Sequence, residues 1–191
     1  MAANAGIDDT QDLAGSWDGV SKPNLKTIEV DLLGPVYATF LAIQYFRSNS
    51  PNTGGKVVIT SSTAGLYASS GQPQYGVAKY GCVALARCMG GKDVLKNENI
   101  TINAVCPSFV PTGLAPAPLL KGMLTAIDTL TLVVQEQYPQ HITPASTIVN
   151  AFNMFLEDGS LSGKVAECVI DKVYLRDPHP VRYLVLAPLT N

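Results

Sequence analysis

Charge is scarce in this 191-residue chain. Only 15% of its residues are charged, thirteen basic against fifteen acidic, for a net charge of −2. The basic residues are scattered and form no stripe, which excludes charge-driven binding to nucleic acid or to an anionic membrane. Cysteine is limited to Cys82, Cys88, Cys106 and Cys168. They form no C-x-x-C pair and no cysteine–histidine spacing, so no zinc site or disulfide scaffold is expected, and the thiols read as reduced and mostly buried. Histidine is reduced to His141 and His179, each near a proline and without a spaced partner, so no metal is expected. The most apolar stretch, Val36 to Phe46, is far shorter than the roughly 20 residues of a membrane-spanning helix, and Gln44 interrupts it. Without a secretory signal, the expected location is the cytoplasm. Repeats and low-complexity tracts are also lacking. A last absence concerns glycine: no G-x-G-x-x-G or G-x-x-x-G-x-G run precedes Ser62.

What remains is the patterning of one domain, residues 1–191, large enough to bury a core. Leu25, Ile28, Leu32, Val36, Phe40 and Ile43 recur at helical spacing, with a bend expected at Gly34-Pro35. The β-branched run KVVIT, ending at Thr60, suits a buried strand. A helix is expected over about Gln74 to Met89, then a polar turn, KNENI, then the strand ITINAVC stopped by Pro107. Four prolines (Pro107, Pro111, Pro116, Pro118) mark a loop, with a short helix expected over 119–137. Thr143-Pro144 opens a helix reaching Leu156, and GKVAECVI reads as a last strand. Alternating strands and helices of these lengths make an α/β fold, a parallel sheet between two helical layers.

The chemistry concentrates between Ile59 and Lys79. Ser62 falls where the KVVIT strand ends, and strand ends are where open α/β sheets place their sites. Tyr75 and Lys79 are one helical turn apart and share a face. A buried ammonium beside a phenol favours the phenolate, a form able to take a proton from an alcohol. Ser62 can hydrogen-bond the same substrate oxygen. Taken alone, a tyrosine and lysine at this spacing are weak evidence, and a surface tyrosine is an equal reading. Trp17, in a turn-rich loop, is expected to pack against the body of the protein.

Company at fixed order changes that balance. Ala3-Asn4-Ala5-Gly6 resembles an N-N-A-G motif, Ser62, Tyr75 and Lys79 follow, and the run Asn103-Ala104-Val105-Cys106-Pro107-Ser108-Phe109-Val110-Pro111-Thr112 resembles N-A-V-x-P-G-x-V-x-T. In this order the chain resembles the short-chain dehydrogenases/reductases, with fungal and 15-hydroxyprostaglandin-dehydrogenase-like members the most similar. The resemblance runs from residue 3 to about 176.

It implies a Rossmann-type parallel sheet and an oxidoreductase that uses NAD or NADP to interconvert a secondary alcohol and a ketone, with fungal secondary metabolism one setting. It assigns acid–base catalysis to Tyr75, support of its ionised form and of the nicotinamide ribose to Lys79, and polarisation of the substrate oxygen to Ser62. Asn4, Val110 and Thr112 would contact the cofactor. A fourth catalytic position, an asparagine in a kinked helix, falls on Asp31. The substrate would be a small alcohol or carbonyl compound, and a homodimer through the two long helices is implied.

Complete members of such a family begin with strands and a glycine-rich loop whose N–H groups hold the pyrophosphate. That pattern is missing here, so the chain reads as a truncated member lacking the first strands, with KVVIT left as an unpaired edge and residues 177–191 as an atypical tail. Two readings therefore stand: an oxidoreductase, or a catalytically silent relic or binding module.

Overall fold

The computed structural model describes residues 1–49, 54–68, 70–110, 112, 114 and 142–178. The helix expected over 119–137, both histidines and the tail beyond residue 178 lie outside them. The strands are β1 (Ala2–Ala3), β2 (Gly55–Thr60), β3 (Ile100–Pro107), β4 (Val165–Val169) and β5 (Lys172–Leu175). They form one sheet in the order β1-β2-β3-β4-β5, parallel from β1 through β4. β5 returns antiparallel on β4. The fold class expected from the sequence, a mostly parallel sheet with flanking helices, is the one observed.

Alternation along the strands sorts the core into two layers. Val57 and Ile59 of β2, with Ile100, Ile102 and Ala104 of β3, pack with Ala42 and Ile43 of helix α2 (Gly34–Ser48) and with Cys82, Val83 and Ala86 of helix α3 (Pro73–Gly90). Val58, Val105, Ala166 and Cys168 face the other way, onto Ala151 and Phe155 of helix α5 (Ala145–Glu157). α5 needs no long apolar run, because a narrow stripe is enough to cover its side of a twisted sheet. Asn103 is fully buried on β3, and its amide donates to Leu161 O at 2.7 Å while its oxygen accepts from Lys164 N at 2.9 Å. It thereby fixes the chain entering β4.

Several expectations are corrected. β2 is not an unpaired edge: β1 pairs with it in register Ala2 to Val58 and Ala3 to Ile59. The KNENI turn begins inside a short helix, α4 (Asp93–Asn97), whose Leu95 is buried in the core. β4 is not the last strand. Ile170 turns the chain into β5 at φ 56°, an uncommon conformation for a β-branched residue, held by bonds from its N–H to Thr143 Oγ1 and from Thr147 Oγ1 to its carbonyl. Trp17 does not pack: it is 73% exposed, and its indole N–H bonds Ser21 O within its own loop.

The apolar stripe of the first long helix is also placed differently. Thr27, Asp31, Pro35, Thr39 and Ile43 face inward, whereas Leu25, Val36 and Phe40 are exposed together with Tyr37, Leu41 and Tyr45. The innermost face steps by four residues from Thr27 to Ile43 and is mostly small or polar; of the expected stripe Ile43 is buried and Ile28 and Leu32 are half-buried, so hydrophobicity alone finds only part of the inward face.

Among the described residues Phe155 is the largest fully buried side chain, and it joins α5 to the sheet. Phe155→Ala is expected to destabilise the fold by about 3–5 kcal/mol, read as a lower urea midpoint at unchanged slope.

Candidate active site

Pro35 explains the geometry at Asp31. Helix α1 (Lys26–Ile28) runs into a π-helical turn, Glu29–Leu33, before α2 begins. A proline has no N–H to donate four residues back, which releases the carbonyl of Asp31 from the helical ladder. The turn widens, Gly34 N bonds Glu29 O, and the freed Asp31 carbonyl accepts from Cys82 Sγ at 3.1 Å. The irregularity thus lies one turn earlier than the bend expected at Gly34-Pro35.

The widened turn sends the Asp31 side chain inward, where it is fully buried. Its Oδ1 accepts from Ile7 N at 2.7 Å, and its Oδ2 lies 3.0 Å from Lys79 Nζ. Lys79, 2% exposed, also donates to Thr60 O at 3.4 Å and sits 5.2 Å from the centre of the Tyr75 ring. Gly6 completes this junction. A Cβ there would come within 2.9 Å of Asp31 Oδ2 and 3.3 Å of Lys79 Nζ, so only glycine lets the turn after β1 approach the ion pair.

Ser62 follows the end of β2 and caps the 3₁₀ turn Thr63–Gly65, its Oγ accepting from Ala64 N at 3.2 Å. The turn is pressed onto α3. A Cβ on Gly65 would stand 2.6 Å from both Lys79 O and Ser61 Oγ, and Ser61 Oγ donates to Lys79 O at 2.8 Å. Sequence reasoning missed Ser61. Its buried hydroxyl holds the carbonyl of the lysine turn, and its only signal was its place at a strand end.

These elements open onto one cavity of about 810 Å³. Asn4, Gly6, Ser62, Tyr75 and Lys79 line it from the strand ends and α3, and Val110 and Thr112 line it beyond β3. Asp31 lies behind Lys79 and is not part of the wall. Asn4 Oδ1 accepts from Thr60 Oγ1 at 2.8 Å. Tyr67, Phe109, Ile148 and Val149 add apolar surface, while Asp8 and Gln72 add polar groups not anticipated from the sequence. Burial pushes the Cys106 thiol up to about 12 and those of Cys82 and Cys168 up to about 11, so they are inert structural thiols. Among the described residues no group of side chains could hold a metal ion, and no helix is long and apolar enough to cross a membrane.

Ser62 at a strand end, with Tyr75 and the buried Lys79 on one helix face, thus stands at one cavity on a Rossmann-type sheet. The family model for short chain dehydrogenase matches residues 1–118, and this chain belongs to that family. It is 32% identical over 190 residues to the short-chain dehydrogenase/reductase prx6 of Penicillium rubens, covering 94% of this chain and 58% of that protein. It is 25% identical over 198 residues to 15-hydroxyprostaglandin dehydrogenase [NAD(+)] of Mus musculus, covering the whole chain and 68% of the relative. The structure of ElxO with NADP bound has the same fold, with a TM-score of 0.66 at 18% identity, over 87% of this chain and 64% of that one. The chain therefore spans somewhat more than half the length of the Penicillium relative.

Breaking the ion pair from one side leaves a buried ammonium without its counter-charge. Asp31→Ala is expected to cost about 3–5 kcal/mol in urea unfolding, and Asp31→Leu/Lys79→Met to cost less than Asp31→Ala alone.

Proposed function

We propose that the chain carries the catalytic centre of an NAD(P)-dependent oxidoreductase that interconverts a secondary alcohol and a ketone, with Tyr75 as the acid–base group. The observation that carries this reading is the convergence of Ser62, Tyr75 and the buried Lys79 on one cavity at the strand ends. The residues present suit the nicotinamide end of a dinucleotide. Gly6 leaves space beside Lys79 that any Cβ would fill. Lys79 Nζ and the side chains of Asn4 and Thr112 offer polar contacts to a ribose and a carboxamide, and Val110 offers an apolar one. When bound, the nicotinamide ring accepts or supplies the hydride.

This chain's residues handle the rest. Ser62 donates a hydrogen bond to the substrate oxygen. In oxidation the phenolate of Tyr75 takes the hydroxyl proton as the carbinol hydrogen leaves as hydride; in reduction the phenol returns that proton to the new alkoxide. Lys79, the cation beside the Tyr75 ring, stabilises the phenolate while the proton is away. Asp31 holds Lys79 through its carboxylate. Because Asp31 stands at the position of an asparagine in the family pattern, this support is ionic where an amide would be neutral. Small alcohols and carbonyl compounds fit the apolar cavity wall. NAD is favoured by the name of the mouse relative, NADP by the bound state of ElxO, and both are retained. The Penicillium relative supports a fungal setting.

A second copy of the chain is the proposed partner. Tyr37, Phe40, Leu41 and Tyr45 of α2, with Val77 and Tyr80 of α3, leave a broad apolar surface exposed. Light scattering is expected to give twice the 20.2 kDa chain mass at micromolar concentration; monomer alone at that concentration would refute the dimer.

The central test is a titration with NADH and NADPH followed by nicotinamide fluorescence, then turnover with a panel of ketones. Tyr75→Phe is expected to keep nucleotide binding and lower kcat by about 10²- to 10⁴-fold. A folded wild-type chain that binds neither nucleotide would overturn the proposal.

A further inference from the structure

Helix α3 carries Tyr75 and Lys79, yet its own start provides no cap. The cap residue, Gln72, makes no side-chain bond to the helix. The first helical residue, Pro73, has no N–H. The next two donors are the peptide N–H groups of Gln74 and of Tyr75 itself, and an uncapped helix leaves such donors unsatisfied. Both are satisfied by one distant carboxylate: Asp9 Oδ2 accepts from Gln74 N at 3.1 Å, and Asp9 Oδ1 from Tyr75 N at 2.5 Å. The negative charge also stands where a helix N-terminus favours it.

Asp9 is itself held on both sides. Its N–H donates to Asp8 Oδ1 at 2.8 Å, the same oxygen that accepts from Gln72 Nε2. The Asp8 carbonyl accepts from Thr27 Oγ1 at 2.9 Å. Two residues earlier, Ile7 N bonds Asp31, which pairs with Lys79. On the outer side, the buried Gln74 amide donates to Gln11 O and Asn24 O. Residues 7–9 thus strap across α3 from the lysine to the tyrosine. Among the described residues, the side chains of the other loop carboxylates, Asp12 and Asp18, bond only within their own loop.

We infer that Asp9 is a positioning residue for Tyr75: by holding the tyrosine's own peptide and the one before it, the carboxylate sets where the phenol stands in the cavity. The inference rests on the reading of Tyr75 as the acid–base group, and its geometric part is tested without turnover. The chain is labelled with ¹³C in its eight tyrosine rings, and Tyr75→Phe identifies the Tyr75 signal. In Asp9→Ala that signal is expected to shift and broaden as the ring samples several positions, while the other tyrosine signals stay. Asp9→Asn, which keeps one acceptor oxygen, is expected to give an intermediate change, and Asp12→Ala none. Where the chain turns over a ketone, Asp9→Ala is expected to lower kcat by about ten- to a hundredfold, with KM for the nucleotide within about twofold of wild type.

An unchanged Tyr75 signal in folded Asp9→Ala would overturn the inference; if that variant does not fold, an unchanged signal in Asp9→Asn decides in the same way. Loss of folding in both would make Asp9 a folding residue and would equally overturn its positioning role. A wild-type chain without turnover would count against the oxidoreductase reading, and the ring-signal comparison would still decide the role of Asp9.

Discussion

The ion pair between Asp31 and Lys79 is the constraint on which the rest of this site depends. Two opposite charges, both nearly sealed from water, are tolerated in a protein interior only when each is matched closely and the remaining polar positions are filled. Here that requirement reaches four separate parts of the chain. Pro35 and the π turn aim Asp31 inward, Ile7 N occupies its second oxygen, the Thr60 carbonyl takes a further bond from the ammonium, and Gly6 leaves the space. Removing any one exposes a cost that the others cannot absorb. The pair therefore ties the turn after β1, the end of β2, the first helical segment and α3 into one unit. From that unit Gly6, Thr60 and Lys79 line the cavity.

Close backbone approach does the remaining work. Gly65 lets the turn after Ser62 rest on the Lys79 carbonyl, and the buried Ser61 hydroxyl bridges the two. Ser62 is thus referenced to the same helical turn as Lys79, and Tyr75 lies one turn earlier on that helix. The far end of α3 is treated alike: a Cβ on Gly90 would stand 2.1 Å from Gly163 N, so α3 also abuts the entry to β4. A helix fixed at both ends against the strand ends suits the role proposed for Tyr75, since small displacements of reacting atoms cost rate steeply.

Much of this was legible in the residues. The β-branched KVVIT run, the ITINAVC strand and the helix carrying Tyr75 follow from local patterning, and their order implies the parallel sheet between helices. Ser62, Tyr75 and Lys79 were recognisable because their types and order match one chemistry. Other features were hidden for definite reasons. The inward face of the first long helix includes Thr27, Asp31, Pro35 and Thr39, while Leu25, Val36 and Phe40 point out, so periodicity found that face only in part, at Ile43. Ala2 and Ala3 are too few for local patterning to show that they cover the edge of β2. Trp17 is apolar enough to suggest burial, but its loop finds no core to enter and its indole bonds locally. Asp9 carries no local sign of a cap because the helix it serves begins more than sixty residues later.

The sequence by itself determined the alternation of elements, the family and the order of Ser62, Tyr75 and Lys79, because these depend on residue type and on spacing within a few turns. Only the tertiary structure decided that Asp31 pairs with Lys79, that Asp9 caps the helix of Tyr75, and that Gly6 and Gly65 are glycines for want of space. Each of these joins residues far apart in the chain, and burial makes them binding: away from water, a charge or a peptide N–H must find its partner wherever the fold brings one.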